Sequence, residues 1–157
     1  MLAPHEKTTP ADEMFMRQAI LLARESEAAG EVPIGAVVVR DDLVIGRGRN
    51  SPIALSDPTA HAEILAIREA ANNISSYRVE GATLYVTLEP CSMCAGALVN
   101  ARIGRLVFGC RDLRFGGVRS KFRIADCEVM NHQVEVIEGV CSVACVELLQ
   151  GFFRGLR

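Results

Sequence analysis

What the chain lacks narrows its class first. None of its 157 residues fall in an apolar run long enough to cross a membrane, and the opening "MLAPHEKTTP" has no apolar stretch of the secretory kind. These absences predict a soluble, cytoplasmic protein, with no membrane among its partners. In that reducing compartment the six cysteines are a poor fit to a disulfide framework and are left for metal or catalytic roles. Neither sign of charge is in excess: a formal net charge of -2 gives no global signal for binding nucleic acid. Any such affinity must be local, in "RFGGVRSKFR" (114–123) or the terminal "FFRGLR", although basic stretches this short are also ordinary solvated faces. Low-complexity tracts, internal repeats and linkers are missing too. With half the residues apolar, one domain over residues 1–157 with a single core is expected.

What is present reads as alternating strands and helices. "TTPADEMFMRQAILLARESEAAGE" has Thr9 as a cap, Pro10 at the first helical position, apolar residues at helical spacing and Gly30 to end it. "VPIGAVVVR" and "LVIGRG", separated by Asp41 and Asp42, predict a two-stranded hairpin. After the loop "NSPIALSDPTA" comes an amphipathic helix in "AHAEILAIREAANN", with Asp57 or Thr59 to cap it and His61 and Glu63 in its first turn. "ATLYVTL" is a strand, and "PCSMCAGALVNAR" a helix with Pro90 suited to its first position. "RLVFGC" and "HQVEVIEG" add strands, and "CSVACVELLQGFFRGLR" closes the chain as a helix. The alternation predicts a layered α/β fold whose later strands run parallel.

The chemistry gathers at two helix starts. Cys91 and Cys94, in "TLEPCSMCAG", could be a redox pair, a disulfide or half of a metal site. Placed at i and i+3 they face one side of a helix, whose N-terminal partial charge favours thiolates. If the two helices enter side by side, His61 joins them. One histidine and two thiolates leave open the fourth position of a tetrahedral zinc, as catalytic sites require. One Zn2+ per chain is then expected, with a bound water or hydroxide as nucleophile. Glu63, two residues from His61 and diverging from it on the helix, suits acid/base work rather than ligation. The run "HAE" followed by "PCSMC" matches the H-x-E and P-C-x-x-C signature of zinc nucleobase deaminases. Cys110, Cys127, Cys141 and Cys145 lie outside it and read as small buried residues, although Cys141 and Cys145 share a helix face. His132 reads as a surface or internally satisfied histidine, and His5 as one on a mobile terminus.

On "EVPIGAVVV", "DPTAHAEILAIREA", "ATLYVTLEPCSMCAGAL", "ARIGRLVFGCRD", "MNHQVEVIEGV" and "LLQGFFRGLR", the chain resembles the bacterial tRNA-specific adenosine deaminases over nearly its whole length. The zinc motif alone marks the wider cytidine/deoxycytidylate deaminase superfamily; "RIGRLVFGCRD" and "GFFRGLR" resemble its tRNA-editing branch.

The resemblance implies a three-layer α/β/α cytidine deaminase-like fold with a central five-stranded mixed sheet, and a homodimer. It implies zinc held by His61, Cys91 and Cys94, Glu63 as proton shuttle, and Asn50 hydrogen-bonded to the purine. The backbone of Ala62 and the segment Leu88, Glu89 and Pro90 would line the same pocket. The implied reaction converts the wobble adenosine of a tRNA anticodon stem-loop to inosine with loss of ammonia. A free-base or nucleoside deaminase acting on guanine or cytosine is the alternative within the superfamily. Arg111, Arg154 and Arg157 are the implied RNA contacts. Phe152 and Phe153 read as core, with nucleotide contact as the second reading. The run "RDLRFGGVRSKFR" departs from the family's usual "RDxKxGAxGS", and Cys110 stands where Ala is usual.

Overall fold

A computed structural model describes residues 8–156. Its elements in chain order are α1 (Pro10–Ala28), β1 (Gly35–Arg40), β2 (Leu43–Arg49), α2 (Pro52–Leu55), α3 (Ala62–Ile74), β3 (Thr83–Leu88), α4 (Ser92–Asn100), β4 (Arg105–Cys110), β5 (Glu135–Glu138) and α5 (Ser142–Gly155). The five strands form one sheet in the order β2-β1-β3-β4-β5. β1 is antiparallel to both neighbours, whereas β3, β4 and β5 run parallel, so the sheet is mixed as expected.

Strand alternation builds the layers, because successive side chains leave opposite faces of a sheet. Ala36, Val38, Leu84, Val86, Leu106, Phe108 and Val136 join one core, with Ala62, Ala66 and Ala70 of α3 and Ala95 and Leu98 of α4. Val37, Val39, Tyr85, Val107 and Ile137 point the other way, into a second core with Phe15, Met16, Ala19 and Ile20 of α1 and Cys145 of α5. A sheet covered on both faces needs apolar residues at nearly every strand position, which "GAVVV" and "RLVFG" supply. The β1–β2 hairpin turns at Asp41 and Asp42, both at positive φ (52° and 60°), the backbone that a two-residue turn between twisted strands demands.

The position of α3 is set by glycine. Gly46 and Gly48 of β2 lie directly under the helix backbone: a Cβ on Gly48 would collide with the Ala62 carbonyl, and one on Gly46 with the Ala66 carbonyl. Two absent side chains and three alanines on the facing stripe of α3 bring the helix start close to the sheet. Beneath the opposite layer, Asp12 is fully buried and takes a bidentate ion pair from Arg105 (2.7 and 2.8 Å), a hydrogen bond from the Tyr85 hydroxyl (2.8 Å) and one from the Thr9 amide (2.8 Å). Burial opposes its charge, but Arg105, Thr9 and Tyr85 outweigh burial and hold the carboxyl down at about 2.

Several local expectations are corrected. Asp57 does not cap α3: its carboxylate accepts from the amide and hydroxyl of Thr59 (2.8 and 2.7 Å), closing a turn upstream, and His61 itself occupies the cap with extended backbone. Likewise Pro90 is not the first residue of α4; Cys91 caps that helix and Ser92 begins it. Cys141 stands at the left-handed cap of α5 rather than on its face. Of the four outlying cysteines only Cys145 is fully buried, while Cys110, Cys127 and Cys141 are half-buried. Phe152 is half-buried and Phe153 is 50% exposed, so the aromatic pair is not core. His132 is satisfied internally, with Nε2 2.7 Å from the Ile103 carbonyl.

Candidate active site

α3 and α4 both start on the same side of the sheet, each entered through one extended residue. Those residues are His61 (φ -74°, ψ 152°) and Cys91 (φ -69°, ψ 176°). Their side chains, and that of Cys94 one turn into α4, converge: His61 Nδ1 lies 3.6 Å from Cys91 Sγ and 3.5 Å from Cys94 Sγ. Among the described residues this is the group of three His, Cys, Asp or Glu side chains whose ligand atoms approach closely enough to hold one metal ion.

The electrostatics favour a thiolate at Cys91. Its thiol is lowered to about 4, chiefly by the hydrogen bond from Cys94 and then by His61, against the opposing effect of burial. Cys94 moves upward for the complementary reason, its proton being held toward Cys91 in a buried position. His61 is raised by its hydrogen bond with Cys91, so its charged form is favoured beside the thiolate.

Glu63 differs in kind from these groups. It is 3% exposed, and its Oε1 is the buried side-chain polar atom that finds no hydrogen-bond partner among the described residues. Burial raises its pKa, favouring the neutral acid. A buried unpaired carboxyl oxygen costs on the order of 1–3 kcal/mol, so a reason outside the fold is needed for it.

The group opens into a cavity of about 640 Å³, within the size range of small-molecule sites. His61, Glu63 and Cys91 lie at its base together with Asn50, Leu88 and Glu89; Val32, Ile34, Leu113, Phe115, Leu149 and Phe153 give it apolar walls. Asn50 is 7% exposed and its backbone is pinned on both sides: its carbonyl accepts from the Ser26 hydroxyl (2.8 Å) and its amide donates to Ile34 (3.0 Å). Glu31 holds the following turn by accepting from the amides of Ile53 and Ala54 at the start of α2, both at 3.0 Å.

Ala62 is fully buried and Pro90 is buried; neither is among the cavity-lining residues. Arg111 reaches the rim, where its guanidinium makes a bidentate pair with Glu138 (2.9 and 3.2 Å). Arg154 is exposed near the end of α5, next to the lining residue Phe153 but not itself among the lining residues, and Arg157 lies outside the described residues, as does His5. Sequence reasoning missed Leu113 and Phe115, exposed at 73% and 64% on the rim. Their signal was two large apolar residues inside an otherwise polar, Gly-rich connection.

Comparison with known proteins agrees with this geometry. Residues 11–157 match the family model of the MafB19-like deaminases. The tRNA-specific adenosine deaminase of Haemophilus influenzae is 52% identical over 147 residues, covering 93% of this chain and 85% of that protein. Its namesake in Bacillus subtilis is 46% identical over 146 residues, covering 93% and 91%. A solved structure from work on A-to-I editing by tRNA:A34 deaminases at the wobble position of transfer RNA superimposes with a TM-score of 0.84. It is 44% identical and covers 87% of this chain and 99% of that one. A guanine deaminase from Nitrosomonas europaea, 24% identical with a TM-score of 0.78, shares the fold. The chain belongs to the tRNA-specific adenosine deaminases, within the MafB19-like deaminase family.

Proposed function

We propose that the chain, acting as one deaminase domain over residues 1–157, hydrolyses the wobble adenosine of a tRNA anticodon loop to inosine and ammonia. The observation that carries this reading is the convergence of His61, Cys91 and Cys94 beside Glu63, whose Oε1 has no hydrogen-bond partner among the described residues, at a cavity roomy enough to admit a nucleobase.

The donor set fits zinc. A tetrahedral ion with bonds of about 2.0–2.3 Å places its ligand atoms about 3.6 Å apart. The observed separations of 3.5 and 3.6 Å are of that size. His61, Cys91 and Cys94 would hold the ion, and zinc bound there would supply a nucleophile at neutral pH by lowering the pKa of a water.

The protein's own groups do the rest. Glu63 takes a proton from the attacking water and delivers it to N1 of the purine as C6 becomes tetrahedral. It then takes the remaining proton from the new C6 hydroxyl and passes it to the 6-amino group, which leaves as ammonia while C6 becomes the carbonyl of inosine. Burial, which raises its pKa, suits it to hold that proton. Asn50, with its backbone fixed by Ser26 and Ile34, offers its side-chain amide to the ring edge, and Val32, Ile34 and Leu88 enclose the base. A base must leave its stack to enter, which costs a few kcal/mol and least in a single-stranded loop. Arg111, Arg154 and Arg157 are the cations assigned to the RNA backbone. No helix of the described residues is long and apolar enough to cross a membrane, and a tRNA substrate fits a cytoplasmic site of action. A homodimer is the proposed assembly, tested by light scattering of the eluted protein.

The deciding experiment gives zinc-loaded protein an anticodon stem-loop with adenosine at the wobble position, and separately free guanine, cytosine and their nucleosides. Inosine in the stem-loop is expected. Conversion of the free compounds with the stem-loop untouched would replace this reading with the free-base alternative.

A further inference from the structure

We propose that Glu89 is the positioning residue of the cavity rim: its carboxylate fixes the 112–120 segment, which presents Arg114 and Phe115 to nucleotides flanking the reacting base. Glu89 then governs how RNA is held more than how fast the base reacts. The RNA part rests on the deaminase reading; the positioning part does not.

Glu89 is 2% exposed, and both oxygens are consumed by one stretch of chain. Oε1 accepts from the Asp112 amide (3.1 Å) and the Ser120 hydroxyl; Oε2 accepts from the amides of Val118 (3.1 Å), Arg119 (2.8 Å) and Ser120 (3.0 Å). A carboxylate offers about four acceptor sites, so none is left for a substrate. The segment wraps tightly: a Cβ on Gly116 would collide with the Glu89 carboxylate, and one on Gly117 would sit 2.7 Å from the Ser92 backbone. Gly117 also donates to the Pro90 carbonyl (2.8 Å), tying the segment to the strand end that leads into Cys91.

What the carboxylate holds is the rim. Phe115 stands out at 64% exposure with the Arg114 guanidinium 5.6 Å from its ring, and both line the cavity mouth. Their amides are bound to Asp112 Oδ1 (3.1 Å each), and the Asp112 amide is itself one of Glu89's donors. An aromatic ring beside a guanidinium is a platform on which unstacked bases settle.

The test compares Glu89→Ala and Glu89→Gln with the parent protein, all zinc-loaded. For stem-loop deamination we expect KM to rise at least tenfold in Glu89→Ala, by at least five times the factor by which kcat falls. Glu89→Gln, which keeps one acceptor oxygen, should fall between. Hydrogen exchange should show residues 112–120 losing protection while residues 83–88 and zinc content stay at parental values. If Glu89→Ala does not fold, Glu89→Gln and Ser120→Ala carry the same measurements, Ser120→Ala with a two- to threefold rise in KM. Unchanged protection of residues 112–120, or a fall in kcat with KM unmoved, overturns the proposal. Parent protein inactive on RNA would overturn the deaminase reading and the RNA part with it, whereas exchange decides the positioning part alone.

Discussion

Glu63 and Glu89 sit on the same cavity, each almost fully buried, and their surroundings are opposite. Glu89 takes five hydrogen bonds from one loop, and these outweigh burial and hold its pKa below the ordinary value. Glu63 has an oxygen with no hydrogen-bond partner among the described residues, and burial pushes its pKa up. A saturated buried carboxylate is architecture, since every lone pair is spent on the fold. An unsaturated one is reactive capacity, since its instability is relieved only when something enters the site.

Removing the metal breaks the reactive side of this contrast most completely. Chelation should take deamination to background and zinc should restore it, while circular dichroism shows the fold unchanged. The ligands stand on helices anchored by the alanine stripe and the core rather than by the ion. Glu63→Gln comes next: kcat should fall by about 10³-fold with zinc content intact, in line with the 10²–10⁴ that a positioned general acid/base contributes. Its stability toward urea should equal or exceed the parent's, because the amide brings no charge into the dry site. Loss of zinc in that variant would make Glu63 part of the metal site instead.

A third carboxylate sharpens the comparison from the far side of the sheet. Asp12, saturated by Arg105, Tyr85 and Thr9, should behave as pure architecture: Asp12→Ala should cost about 3 kcal/mol in denaturant unfolding and leave kcat alone. Its folded pKa of about 2 lies below the ordinary 3.8, so its contribution is complete above about pH 4. As pH falls toward 2 the contribution disappears, and the gap between parent and variant should close over that window. The smallest effect expected is Arg154→Ala, a single exposed cation, with KM for RNA up about two- to fivefold and a weaker dependence on salt.

Much of this was legible in the residues. The apolar strands in "GAVVV", "TLYVTL" and "RLVFGC", alternating with helices, foretold a layered α/β fold, and H-A-E with P-C-S-M-C foretold which side chains would meet. The cap of α1 was legible, since Thr9 caps it with Pro10 as its first residue, but the starts of α3 and α4 were not. Asp57 and Thr59 have the right oxygens for capping α3, yet they satisfy each other, and the chain enters the helix at His61. Phe153 has helical apolar spacing but stays 50% exposed, packing edge-on against Phe152 and lining the cavity rather than the core. The partners of Glu89 lie 23 to 31 residues downstream, a distance over which local pattern carries no information about hydrogen bonding.

The central claim is that Glu63 and the His61, Cys91 and Cys94 set act together on adenosine in tRNA. Total tRNA incubated with zinc-loaded protein, then sequenced for adenosine-to-inosine changes, tests it most directly when Glu63→Gln is run beside the parent. The expected result is inosine at the wobble position with the parent and almost none with the variant. Equal conversion by both proteins, or no conversion at that position by the parent, would contradict it.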